Sequence, residues 1–148
     1  MEFINAERLK AEFEVEGSFY TVAMGGKVFE CRNYAQVYRK GRKNQDYYDA
    51  VFVLVNPGLC TPNQSTYQIP QISAGESPPL RYILSKTDNT QYQVMRLMQL
   101  KHWNKVLLLN LSDIRAGNLI EFKEKLLEAS RVGFNCHSIF SSSRLKKL

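Results

Sequence analysis

The run Val51-Phe52-Val53-Leu54-Val55, halted by Asn56-Pro57-Gly58, constrains the fold more than any other part of this chain. An unbroken β-branched and apolar run of that length reads as a buried strand, and Asn-Pro-Gly ends it on a turn that presents an amide side chain. A second apolar run, Val106 to Leu109, stops in the same way on Asn110-Leu111-Ser112-Asp113. Between the two, Asp88-Asn89-Thr90 opens a pattern in which Tyr92, Met95, Leu97, Met98 and Leu100 recur near helical spacing up to Lys101. After the second run, Asn118 can cap a helix with Ile120, Phe122, Leu126 and Leu127 on its inner side. Strand, helix, strand, helix is the order of a parallel α/β unit, and such sheets hold ligands at the carboxyl ends of their strands. The two runs are therefore expected to be adjacent, parallel, buried and central, with Asn56 and Asn110 as neighbours.

Ahead of this core, Asn5 can cap a short helix from Ala6 to about Phe13, and Phe19 to Met24 with Lys27 to Tyr38 reads as a β-hairpin turning at Gly25-Gly26. The expected organisation is a single α/β domain with a largely parallel sheet flanked by helices: helix and hairpin over 1–45, core over 50–135, tail over 136–148. Between Leu59 and Lys86, Pro62, Pro70, Gly75, Pro78 and Pro79 break any long regular element, so this stretch is expected to be a lid or a disordered insertion. No third fully apolar strand follows residue 130, which makes a parallel sheet look incomplete at the C-terminus. Apolar surface left open in that way leads to an expectation of self-association through Cys136 to Leu148.

With 44% hydrophobic and 11% aromatic residues, a chain of 148 residues has the means to build a core, which excludes a disordered polymer. Its formal charge of +6 permits a polyanionic partner. Arg39-Lys40-Gly41-Arg42-Lys43-Asn44 is either a solvated connector or a phosphate-facing patch. No run reaches the roughly 18 apolar residues of a membrane span, and Met1-Glu2 leads into a charged amphipathic segment, so a cytoplasmic protein without membrane contact is expected. Cys31, Cys60 and Cys136 are odd in number and widely spaced, as reduced thiols would be. Metal-ligand spacing, a phosphate-cradling glycine loop and a Ser-His-Asp order are all missing, so neither a metal nor a cofactor is expected.

Four motifs in order, Val53-Leu54-Val55-Asn56-Pro57-Gly58, Asp88-Asn89-Thr90-Gln91-Tyr92, Trp103-Asn104-Lys105-Val106 and Asn110-Leu111-Ser112-Asp113-Ile114-Arg115, resemble the bacterial family labelled domain of unknown function 1643 over about residues 50–145. The layout is similar, more remotely, to the uracil-DNA glycosylase superfamily, one branch of which has an Asn-Pro-Gly turn after its first core strand. That resemblance implies a three-layer core of the uracil-DNA-glycosylase kind. It also implies that Asn56 positions a hydrolytic water, since an amide both donates to and accepts from water, and that Gly58 lets a flipped base approach. The second glycosylase motif, a His-Pro or Asn-Pro loop after a later strand, is missing here; His137-Ser138 does not take its place.

The expected site joins Asn56 as the catalytic candidate to Pro57, Gly58, Asp88, Asn89, Asn110, Ser112, Asp113 and Arg115 as binding candidates. Each also has a structural use: Asn56 can bond its own turn, Asp88 can cap a helix, and Asn110, Ser112 and Asp113 can cap turns. The leading expectation is recognition of a nucleobase or nucleic acid with N-glycosidic hydrolysis. The competing ones are a non-catalytic module for a nucleotide-like ligand or a protein, and an inert fragment of a larger enzyme.

Overall fold

The structure, a computed structural model, describes residues 3–145. It begins with helix α1 (Ala6–Glu12), whose Asn5 cap accepts the Arg8 N–H at 2.9 Å. Strands β1 (Phe13–Met24) and β2 (Lys27–Arg39) form the hairpin. Its two-residue loop requires left-handed backbone at both positions, which Gly25 (φ 58°) and Gly26 (φ 77°) supply. Strand β1 starts six residues before the expected Phe19. Glu14 and Glu16 disguise its first half, because their side chains occupy the face opposite Phe13 and Val15 and find partners there.

Strand β3 (Ala50–Leu54), the short β4 (Gln71–Ile72) and β5 (Ile83–Leu84), helix α2 (Asn89–Lys101), strand β6 (Lys105–Asn110), helix α3 (Leu119–Val132) and the turn α4 (Ser142–Leu145) follow. The six strands form one open sheet in the order β3-β6-β2-β1-β4, with β5 also pairing β1. As expected, β3 and β6 are adjacent and parallel, and Leu54 stands opposite Asn110. The sheet as a whole is mixed instead of largely parallel: β1–β2, β2–β6 and β1–β5 are antiparallel, while β3–β6 and β1–β4 are parallel. The hairpin is the cause. It is the middle of the sheet, and β2 occupies the flank of β6 where a further parallel strand was expected.

A second correction concerns β3, which is an edge strand with Val51 and Val53 exposed, not a buried central one. Its other face packs Ala50 and Phe52 against the core, with Trp103 edge-on to Phe52 at 6.3 Å. Apolar content alone does not tell the two positions apart.

Two cores lie on the sheet. One gathers Leu9, Phe13, Val15, Ala35, Val37, Val94, Met95, Met98, Val106 and Leu108 beneath α1 and α2. The other gathers Tyr20, Val22, Phe29, Cys31, Ile114, Phe122, Ala129 and Phe134 beneath α3. They meet at a β-bulge. Ser18 pairs Tyr34 and Phe19 pairs Arg32, so Asn33 has no partner on β1. Below the bulge the odd residues Ala35 and Val37 face α2. Above it, Arg32 takes that face and Cys31 and Phe29 turn to α3.

The segment expected as a lid or disordered insertion lies along β1 through β4, β5 and the Thr21 N–H bonded to the Pro70 carbonyl. The described part of the expected tail packs on its own chain: Ser138 bridges Ser112, and Ile139 N–H donates to the Leu111 carbonyl. Residues 146–148 of that tail lie outside the described residues. Among the described residues no helix is long and apolar enough to cross a membrane, and no group of three His, Cys, Asp or Glu side chains could hold a metal ion.

Candidate functional site

The carboxyl ends of β3 and β6 and the start of α2 enclose a cavity of about 200 Å³, lined by Arg32, Leu54, Val55, Asn56, Gly58, Asp88, Thr90, Gln91 and Leu108. Asn56 uses its amide inside the protein, as Nδ2 donates to the Pro57 carbonyl at 2.8 Å and to the Ala116 carbonyl at 3.3 Å. It thereby clips the turn after β3 to the loop before α3, and Ala116 N–H returns a bond to the Pro57 carbonyl. Pro57 itself is buried outside the cavity wall. Gly58 approaches Asp88 so closely that a Cβ there would lie 3.3 Å from Oδ2.

Asp88 caps α2 with a full capping box. Its Oδ1 accepts the Gln91 N–H, and Gln91 Oε1 accepts the Asp88 N–H, both at 2.9 Å. Asp88 Oδ2 accepts no hydrogen bond from the described residues, and it is this oxygen that faces Gly58. Asn89 is exposed on the first turn of α2 and does not line the cavity.

Asn110 ends β6 two residues beyond the cavity-wall Leu108 and therefore on the same face of the strand. It is 1% exposed, and neither its Nδ2 nor its Oδ1 has a partner. Gln91 likewise leaves Nε2 unpaired, and Arg32, 2% exposed, leaves Nε and Nη1 unpaired. A polar atom buried without a partner costs about 1–3 kcal/mol, and a buried charge costs more, so two such side chains in the wall of one cavity, with Asn110 on the strand face that Leu108 brings to it, need an explanation.

Arg32 and Gln91 are the site residues that periodicity does not reveal. Simple alternation along β2 would put Arg32 with Glu30 and Gln36 on the polar side, and only the bulge at Asn33 turns it inward. Gln91 did leave a signal, for it belongs to the buried stripe Gln91, Val94, Met95, Met98 of α2 and is its only polar member.

Ser112, Asp113 and Arg115 stand outside the cavity. Ser112 Oγ lies 2.9 Å from His137 Nδ1 and accepts the Ile114 N–H. Asp113 is fully buried, with Oδ2 accepting from the Tyr20 hydroxyl at 2.6 Å and from Arg144 Nη1. Burial pushes the Asp113 carboxyl up to about 6 against the opposing pull of Arg144 and Tyr20. Burial also holds His137 down at about 4, helped by the Arg144 charge. Arg115 is buried, pairs loosely with Glu30 at 3.8 Å and rests over the Phe19 ring.

Of the basic connector, Arg39 turns inward to Glu12, Asn104 and the Phe13 ring, and Lys43 bonds the buried Glu16 at 3.0 Å. Lys40 instead joins Lys10 and Lys86 along an open groove of about 690 Å³. Ser85 to Thr87 line this groove and Asp88 to Gln91 line or border the cavity, so the chain runs directly from one to the other. All three cysteines are free. The chain matches no family model, no curated protein and no solved structure.

Proposed function

We propose that the crevice at Asn56 and Asn110 recognises a nucleobase, as a free nucleotide or as one unit of a nucleic-acid strand. The observation that carries this reading is the unpaired amide pair: Gln91 offers a donor in the wall of a cavity shared with Leu54, Val55 and Leu108, and Asn110, two residues beyond Leu108 on the same strand face, offers a donor and an acceptor. Heteroaromatic rings combine polar edges with apolar faces, and amides that both give and take hydrogen bonds suit such edges. A cavity of about 200 Å³ suits one nucleotide unit better than an extended strand, whose backbone would run along the Lys10, Lys40 and Lys86 groove.

N-glycosidic hydrolysis, within a uracil-DNA-glycosylase-like core and the family of domain of unknown function 1643, is the second reading. The free Oδ2 of Asp88 beside Gly58 favours it, since a carboxylate oxygen at the cavity wall can orient and polarise a water. Asn56 would then hold the turn in shape, because its Nδ2 is already spent on two carbonyls.

Nucleosides titrated into the protein by calorimetry should bind, and Asn110→Leu should abolish binding while keeping the protein folded. Unchanged binding in that variant removes the reading. Base release from uracil-containing single- and double-stranded DNA separates the enzyme from the binding module: release that Asp88→Asn abolishes supports the enzyme. Strand binding that falls steeply between two salt concentrations supports the groove.

A further inference from the structure

We infer that Arg32 is an oxyanion-binding residue, and that the ligand of the cavity carries a phosphoryl group that docks on its guanidinium. This deepens the nucleobase reading above and rests on it for the rest of the ligand.

Arg32 is among the most deeply buried large side chains of the molecule, yet its Nε and Nη1 have no hydrogen-bond partner and its guanidinium forms no ion pair within 4 Å among the described residues. The Asp113 carboxylate feels its charge only from farther off and is already engaged by Tyr20 and Arg144. The other two buried arginines each have a carboxylate within 4 Å, Arg144 the Asp113 carboxylate and Arg115, whose Nε also lacks a partner, the exposed Glu30 at 3.8 Å. A guanidinium cannot escape burial by losing its proton, so an Arg in this position is completed by an anion from outside.

The fold makes room for that cation with two devices. The Asn33 bulge turns the side chain toward α2, and Gly17 leaves space beside it, since a Cβ there would lie 2.9 Å from the Phe19 ring and 3.2 Å from Arg32 Cδ. The cavity the side chain enters is also bordered by Thr90 and Gln91 from the first turn of α2, a 13-residue helix whose positive end suits an anion. Asp88 is the one carboxylate in the wall, and its Oδ1 is engaged in the cap. Its charge and that of the incoming anion repel, which places the anion on the Arg32 side of the cavity.

The test uses wild-type protein and Arg32→Met, an unbranched neutral replacement. At constant ionic strength set with chloride, inorganic phosphate should raise the melting temperature of wild type and leave the variant unmoved. Calorimetry should show each nucleoside 5′-monophosphate binding wild type at least tenfold more tightly than its nucleoside, with the difference gone in the variant. Acetate at the same concentration distinguishes a phosphoryl site from a general carboxylate site: an equal effect overturns the phosphoryl assignment. Should Arg32→Met fail to fold, the arginine Nε–H signals of wild type supply the readout. One shielded signal should shift on phosphate addition, and no shift overturns the inference. An equal phosphate response in both proteins overturns it too. Phosphate binding that depends on Arg32 without any nucleoside binding would sink the nucleobase reading and leave this one standing. Nucleoside binding indifferent to the phosphate would do the reverse.

Discussion

Two buried polar groupings sit on this one sheet, and they differ in whether their charges are matched within the fold. Tyr20, Asp113 and Arg144 converge from β1, the loop after β6 and α4, and their charges meet. Arg32, Gln91 and Asn110 are as deeply buried, come from β2, α2 and β6, and leave polar atoms unpaired. The first grouping fastens the last described turn of the chain to the sheet. Arg32 and Gln91 of the second line a cavity. Burial alone therefore does not distinguish a structural polar cluster from a binding one, and neither does a single unpaired atom, since Asp113 Oδ1 also lacks a partner; what differs is that the Asp113 and Arg144 charges are matched within the fold.

The comparison breaks most easily at Arg144. Arg144→Ala strands a buried carboxylate and should cost about 3–5 kcal/mol in urea denaturation, whereas Asp113→Asn combined with Arg144→Met should cost much less than the sum of the single changes. A loss below about 1 kcal/mol for Arg144→Ala would mean the pair fastens nothing. Next in size is Gly17→Ala, whose methyl would press on Phe19 and the Arg32 stem. Overpacking of that kind should cost about 1–3 kcal/mol and weaken the phosphate response by displacing Arg32. A destabilised variant with an unchanged phosphate response would detach Gly17 from the site.

Asn56→Ala removes two donated bonds and should cost about 1 kcal/mol, a shift of a few degrees in melting temperature. Ligand affinity should fall more in Asn110→Leu than in Asn56→Ala, and the opposite ranking would return Asn56 to the centre of the site.

The smallest effect is one of slope. His137 is held at about 4, below its ordinary 6.5, so its contribution to stability is present above 6.5 and is lost as pH falls toward 4. Asp113 is raised to about 6, so its contribution is present below the usual carboxylate value and is lost as pH rises through 6. The two slopes oppose each other across nearly the same interval, and wild-type stability should be close to flat there. His137→Asn should uncover a stability that declines from pH 4 to 6, and a decline toward acid in that variant would contradict the Asp113 assignment.

Much of this was legible in the sequence. The parallel pair β3–β6, the Asn5, Asp88 and Asn118 caps, the glycine turn of the hairpin and the cavity at the Asn56 strand end all follow from local rules. What was not legible depends on pairing between distant segments. Nothing in Val51 to Val55 distinguishes an edge from a centre, because that depends on which strand lies on its far side. Ser112, Asp113 and Arg115 leave β6 at the right edge of the sheet but are claimed by His137, Tyr20, Arg144 and Glu30, partners that lie from 25 to 93 residues away or are brought close only by folding.

The lone unpaired Asn33 has a consequence for how this chain tolerates change in length. It sets the two halves of β2 out of phase, so odd positions face one core below it and the other core above it. A residue deleted in the polar connector after β2 could be absorbed by loop adjustment. Deleting Asn33 would leave Arg32 and Tyr34 as regular neighbours opposite Phe19 and Ser18, so both halves would keep the faces they have, whereas deleting a residue inside either half would turn over the residues beyond it.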